Sequence, residues 1–156
     1  VPQGGNTGLV GGSVPINTEV VLSLEKINHI HKLDPMTGIL LCDAGCILQN
    51  LQDYAADRDH MVPVDLGSKG TCQIGGNIST NAGGSFYYRY GSFNANVMGL
   101  EVVLANGDIL NLGCDPALLK DNTGYNLKNL FLGAEGTLGV GKCLSLQSLS
   151  PRHPTQ

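Results

Sequence analysis

Glycine, serine, threonine and asparagine crowd the stretch Gly67–Gly91, GSKGTCQIGGNISTNAGGSFYYRYG, while charge is almost absent from it. A segment of this kind cannot build a hydrophobic core. Gly67, Gly70, Gly75, Gly76, Gly83, Gly84 and Gly91 let the backbone take positive φ and bring its N–H groups close to another object. Gly75-Gly76 opens Asn77–Ala82, long enough for one or two helical turns, whose unpaired N–H groups would face an anion such as a phosphate. The alternative is that the small residues merely let two backbones pack closely. Neighbouring stretches decide between the two.

The chain has 156 residues, 42% of them apolar, with a mean hydropathy of +0.04 and no long apolar run, so no transmembrane span is expected. A net charge of −4 and a pI near 5.4, without a basic stripe, argue against a nucleic-acid partner. An anionic ligand would have to be held by local N–H groups. The first residue is Val1, with no signal or transit peptide before it, which suggests a processed chain or a fragment and leaves the compartment unreadable. The five cysteines, Cys42, Cys46, Cys72, Cys114 and Cys143, form no CxxC pair and read as reduced thiols. No metal site is expected: Cys42 and Cys46 lack a second pair, and His29 and His31 read as half-exposed surface residues. The glycosylation sequon at Asn77 lies inside the glycine-rich stretch and is discounted.

A second glycine-rich loop, Val1–Ser13, opens the chain, and its successive glycines can form a nest of N–H groups. It lacks the G-x-G-x-x-G pattern of a dinucleotide fold. Glu19–Leu24 then reads as an apolar strand, whereas Lys26–Leu33, with Ile27, Ile30 and Leu33 three apart, fits helix or strand equally. Asp34–Gly38 is a turn and Ile39–Ala44 a buried strand. Ile47, Leu48, Leu51, Tyr54 and Ala55 share one face of a helix. Val97–Leu104 and Asp108–Leu112 flank Asn106-Gly107 as a hairpin. This order of elements predicts an α+β domain without regular alternation.

Leu127, Leu130 and Phe131 suggest a short helix, followed by a third loop with Gly133, Gly136 and Gly139. Gly136–Cys143 nearly spells a P-loop. The match fails where Cys143 replaces the magnesium-binding hydroxyl and where Leu144–Leu149 alternates like a strand instead of opening a helix. Nucleotide hydrolysis is therefore disfavoured.

Pro2–Gly8, Pro63–Gly67, Gly75–Gly84, Arg89–Gly91 and Gly133–Gly139 resemble, in order and spacing, the FAD-contacting motifs of the flavoprotein family that includes vanillyl-alcohol oxidase and p-cresol methylhydroxylase. The resemblance covers residues 1–146, leaving 147–156 as a polar tail. It implies an FAD-binding domain of the p-cresol methylhydroxylase type, two small α+β subdomains with the cofactor between them, here lacking the first strand and helix. By resemblance, Gln3, Gly4, Gly5, Asn6 and Thr7, with Gly12 and Ser13, cradle the pyrophosphate. Gly67, Gly70, Thr71, Gly75, Gly76, Thr80, Asn81, Gly83 and Gly84 close over flavin and diphosphate, with Pro63, Leu66 and Gly91 beside them. Glu135, Gly136, Gly139 and Val140 lie by the adenosine. Members with covalent flavin carry histidine after the paired glycines of the first loop. Asn6 stands there in this chain, which implies non-covalent FAD.

Leu119–Phe131 and Arg89–Ser92 most resemble the members that oxidise D-2-hydroxy acids. The implied reaction converts D-2-hydroxyglutarate to 2-oxoglutarate with hydride transfer to flavin N5, with D-lactate as the alternative substrate. Electrons would pass to a carrier such as electron-transfer flavoprotein, and the compartment would be the mitochondrion in a eukaryote. The substrate clamps, the base and a zinc site belong, by resemblance, to a C-terminal domain absent here, so no catalytic residue is expected in this chain. A truncated, non-catalytic FAD- or partner-binding module is the competing expectation.

Overall fold

A computed structural model describes residues 1–150. The chain begins with a short parallel pair, β1 (Pro2–Gln3) and β2 (Leu22–Ser23), which brackets the first glycine-rich loop. The expected strand over Glu19–Leu24 is thus reduced to two residues. Val20 and Leu22 are exposed and β2 has one neighbour, so little burial supports a longer strand. Leu24 is buried and anchors the pair, and Gly45 donates its N–H to Ile27 at 2.7 Å just beyond.

The main body is a five-stranded antiparallel sheet in the order β3-β4-β7-β5-β6. The ambiguous Lys26–Leu33 segment resolves as β3 (Ile30–Leu33), paired through the Asp34–Gly38 turn with β4 (Ile39–Asp43). Gly38 takes φ +72 there, as such a turn requires. After β4 come α1 (Leu48–Ala56), α2 (Ile74–Ser79) and the single turn α3 (Tyr87–Tyr90). Then β5 (Val97–Val103) and β6 (Ile109–Leu112) form the expected hairpin, with Gly107 at φ +90. The expected short helix is a 3₁₀ turn at Leu127–Leu130, and β7 (Val140–Gln147) closes the sheet at its centre.

Register explains the core. Leu40, Leu146 and Val97 stand across from one another, as do Cys42, Leu144 and Leu100, and all six are buried in one cluster with Leu48, Leu51 and Ala55 of α1 and Ile74 and Ile78 of α2. Each Leu, Ile or Val among them contributes about 1.5–3 kcal/mol when fully buried, so these two rows and two helices are the main support of the domain. The other face carries Asp43, Cys143 and Glu101 in one cross-strand row.

The expected tail from residue 147 needs correction. Gln147 pairs with Ile39, the buried Ser148 donates its hydroxyl to Gly38 O at 2.6 Å, and Leu149 bridges Met61. Those residues are part of the packed body, and 151–156 lie outside the described residues.

Candidate functional site

The three glycine-rich loops, distant in sequence, meet along one side of α2. A Cβ at Gly4 would lie 3.4 Å from Gln73 Oε1, and one at Gly5 would run into Thr71 O. Pro2 packs against Gly136, and Gly12 faces the Glu135 carboxylate. Gly133 donates its N–H to Ile78 O at 3.1 Å and Glu135 to Ser79 O at 2.9 Å, which seats the third loop on the end of α2. Each loop carries one non-glycine residue in the left-handed region: Asn6 at φ +51, Asn81 at +48 and Glu135 at +52. Asn adopts this region readily, whereas for Glu135 it costs roughly 1–2 kcal/mol, so its conformation persists only where the surroundings fix it.

Donors divide the loops. Among the described residues, the backbone N–H groups of Gly5, Asn6, Thr7 and Gly8 find no protein acceptor, and neither do those of Gly67, Gly70, Gly76 and Gly83. The first loop is nonetheless shaped from within. Gln3 Nε2 donates to Ser13 O at 2.8 Å and Ser13 Oγ to Asn6 Oδ1 at 2.8 Å. A Cβ at Gly67, Gly70, Gly76 or Gly83 would meet nothing within 4 Å, so these glycines border open space.

Several sequence expectations change here. The first N–H groups of α2 are spent: Ile74 donates to Cys46 O at 2.9 Å and Gly75 to Ala44 O at 2.8 Å. Gly75 serves packing, since its Cβ would fall 2.6 Å from Ala44 Cβ. Gly84 abuts Asp65 O, and a Cβ at Gly139 would fall 2.7 Å from Val102 Cγ1, so both let backbones approach. Gly76 is helical, with φ outside the left-handed region. Thr80 turns its hydroxyl back to Gly76 O at 3.0 Å. Thr71 is exposed and Pro63 and Leu66 sit in the buried approach to the second loop, whereas Gly91 ends α3 at φ +74 and takes no part in the contacts joining the loops. Val140 pairs with Val103 at the start of β7, in the strand that the failed P-loop match required to be a helix.

The side-chain field around the loops is weak. Lys69 Nζ lies 2.9 Å from Asp65 Oδ1, and this bond holds the Asp65 carboxyl below its ordinary range. Two features were invisible in the sequence. Gln73, 7% exposed, keeps Oε1 without a partner beside Gly4. A cleft of about 430 Å³, walled by Leu22, Leu24, Ile27, Leu104, Leu138 and Val140, opens between the β1-β2 pair, the third loop and the adjoining ends of β5 and β7.

A third grouping lies on the opposite sheet face. His31 Nε2 is 2.8 Å from Asp43 Oδ1, and Cys114 Sγ donates to Cys143 Sγ at 3.4 Å, which holds the Cys143 thiol below and the Cys114 thiol above the ordinary value.

Comparison with known proteins gives this geometry its context. Residues 1–113 match the family described as FAD binding domain. The chain belongs to that family. It is 58% identical over 153 residues to D-2-hydroxyglutarate dehydrogenase, mitochondrial, of Danio rerio, covering 98% of this chain and 28% of the relative. Identity to the Rattus norvegicus protein of the same name is 56% over 145 residues, covering 93% of this chain and 27% of the relative. The chain therefore spans little more than a quarter of these relatives. The solved structure of an alkyldihydroxyacetonephosphate synthase superposes with a TM-score of 0.83 at 22% identity, over 96% of this chain and 27% of that one. This likeness is one of fold.

The residues present fit an FAD. With Lys69 paired to Asp65, a diphosphate here would depend on backbone donors, and the unengaged N–H run from Gly5 to Gly8 supplies them. The orphaned Gln73 Oε1 needs a donor, and the apolar cleft suits a flat ring.

Proposed function

We propose that this chain is the FAD-binding part of a mitochondrial flavin-dependent dehydrogenase that oxidises D-2-hydroxyglutarate to 2-oxoglutarate. One observation carries the reading: three loops meet around unengaged backbone donors, in a chain whose relatives bear that enzyme's name. When bound, FAD supplies the hydride acceptor. The chain's own part is to bind and orient. Gln3 to Thr7, with Gly12 and Ser13, hold the diphosphate through N–H groups, the Ser13–Asn6 bond keeping the loop curved. Gly67, Gly70, Gly76 and Gly83 leave room beside the second loop, and Gly136 with the cleft residues excludes water from the adenosine end.

Nothing in this chain is assigned to the substrate. The groups that pair with its carboxylates, the base for its hydroxyl proton and the subfamily's zinc fall to the remainder of the polypeptide, and an electron-carrier protein such as electron-transfer flavoprotein reoxidises the enzyme. Among the described residues, no helix is long and apolar enough to cross a membrane.

The test is the visible spectrum of the purified full-length protein. Flavin bands that bleach with D-2-hydroxyglutarate faster than with D-lactate are expected, and acid or urea should release all the flavin, since Asn6 offers no attachment point. Preferential bleaching by D-lactate would replace the substrate, bands that bleach with neither would leave a binding module, and flavin retained after denaturation would overturn the non-covalent reading.

A further inference from the structure

On the sheet face away from α1 and α2, side chains from separate strands gather in one row. Asp43 of β4 stands directly across from Cys143 of β7, and His31 reaches the same carboxylate from β3. One ligand atom from each of the three lies within 4.8 Å of the others. A second sulfur arrives from beyond β6. Because Gly99 has no side chain, Gly113 can lie across β5 and bridge to Leu100, which brings Cys114 Sγ to 3.4 Å from Cys143 Sγ.

We infer that His31, Asp43 and Cys143 form a zinc site distinct from the cofactor site, with Cys114, which touches Cys143 but lies outside that three-residue group, drawn in as the fourth ligand on binding. A tetrahedral zinc with bonds of about 2.0–2.3 Å sets its ligand atoms about 3.3–3.8 Å apart. The sulfur pair, at 3.4 Å, would spread slightly to take the ion, and the His31 ring, at 38% side-chain exposure, is free to swing out of its 2.8 Å bond with Asp43 and admit the metal between them. Asp43 is pre-aimed: its Oδ2 accepts the His29 N–H at 3.0 Å, the kind of outer bond that orients a ligand, and its Oδ1, which faces His31 Nε2, is the atom that would turn to the metal. Two thiols and an imidazole with one carboxylate favour zinc over magnesium or calcium, which prefer oxygen. Glu101, across from Cys143 on β5, does not compete, because Lys142 holds it at 2.7 Å. A plain surface His–Asp pair would account for His31 and Asp43 but gives no reason for two sulfurs from different segments to converge beside it. Alternation places Asp43 on the face opposite Ala44, the residue that Gly75 of the cofactor loop packs against, so the two sites share a sheet and no ligand.

The test uses the full-length, flavin-loaded protein and zinc chloride. Labelling of Cys143 by N-ethylmaleimide, read by peptide mass spectrometry, should slow at least about tenfold when zinc is added, as expected of a coordinated thiolate. His31→Ala and Asp43→Asn, at partly exposed positions, should bind zinc weaker by more than the roughly 10–100-fold that loss of an outer partner costs, with an unchanged melting temperature in the metal-free state. Metal content after gel filtration should be lower in Cys143→Ser than in wild type, a difference that cancels any zinc held elsewhere in the protein. Equal labelling of wild-type Cys143 with and without zinc, or equal zinc in wild type and all three variants, would overturn the inference.

Discussion

In the second loop the backbone is tied into the core on both sides: Leu48 donates to Cys72 O at 3.1 Å, Gln49 to Lys69 O at 3.0 Å and Gly75 to Ala44 O at 2.8 Å. In the first loop the backbone from Gly5 to Gly8 donates to no protein group, and shape comes from two side-chain bonds through Ser13. Both loops are rich in glycine, yet the second uses part of it, as at Gly75, to anchor its backbone in the core, whereas the first keeps four successive N–H groups bare. A scaffold and a ligand-shaped clasp have therefore been built from the same composition. The difference lies in where each N–H goes.

The most severe way to break this contrast is Gly75→Val. Its Cβ would lie 2.6 Å from Ala44 Cβ and 2.9 Å from Ala44 O, so the variant should lose about 3 kcal/mol or more and fail to accumulate as soluble protein. Gly76→Val, one residue on, separates fold from binding. Its Cβ meets no atom within 4 Å, so the flavin-free melting temperature should move by no more than about 1 kcal/mol allows. The stabilisation that added FAD confers should disappear. If Gly76→Val unfolds the protein like Gly75→Val, the distinction between packing and open glycines is wrong.

Asn6 sharpens the comparison from the side of the first loop. Asn6→Val should weaken FAD binding measurably, because a β-branched residue at φ +51 costs roughly 1–2 kcal/mol and the bond from Ser13 is lost. Asn6→Gly, which keeps the backbone but not the bond, should fall between this variant and wild type in a flavin titration. The smallest effect is expected at Lys69, whose partly exposed pair with Asp65 is worth about 0–1 kcal/mol. The bond from Lys69 lowers the folded-state pKa of Asp65, so its stabilisation is fully present above the unfolded aspartate value of about 3.9 and fades as pH falls through the lower folded value. Lys69→Ala should flatten that acid limb of a pH–stability profile and leave FAD binding nearly intact. A loss of FAD as large as that of Gly76→Val would show that charge, and not backbone, holds the anion.

Much of the fold was legible because local signals and tertiary needs agreed. Ile39–Cys42 is apolar throughout and becomes the buried part of an inner strand, the 47–55 spacing becomes α1, and Asn106-Gly107 becomes the hairpin turn. Glu19–Leu24 misled because Val20, Val21 and Leu22 are exposed and only Leu24 reaches the core. Gly75 and Gly76 could not be told apart in sequence, since adjacent helical positions differ in direction and only one meets Ala44. His31, Asp43 and Cys143 were unreadable as a group for a similar reason: only the register of three strands brings them together.

The strand order carries a consequence for how the domain assembles. The central strand, β7, follows the four strands β3 to β6 in sequence, so β4 and β5 have no ladder between them until residues 140–147 arrive. Pairings of this long range form slowly, because loop closure precedes any return in contacts. On a ribosome the hairpin of β5 and β6 and the β3-β4 pair would wait as separate halves. The third loop, whose Gly139 leads directly into β7, reaches the end of α2 in the same stroke that joins those halves. A nascent chain thus has no completed flavin clasp before it has a completed sheet, and uptake of FAD would report on the end of folding and not on an intermediate stage.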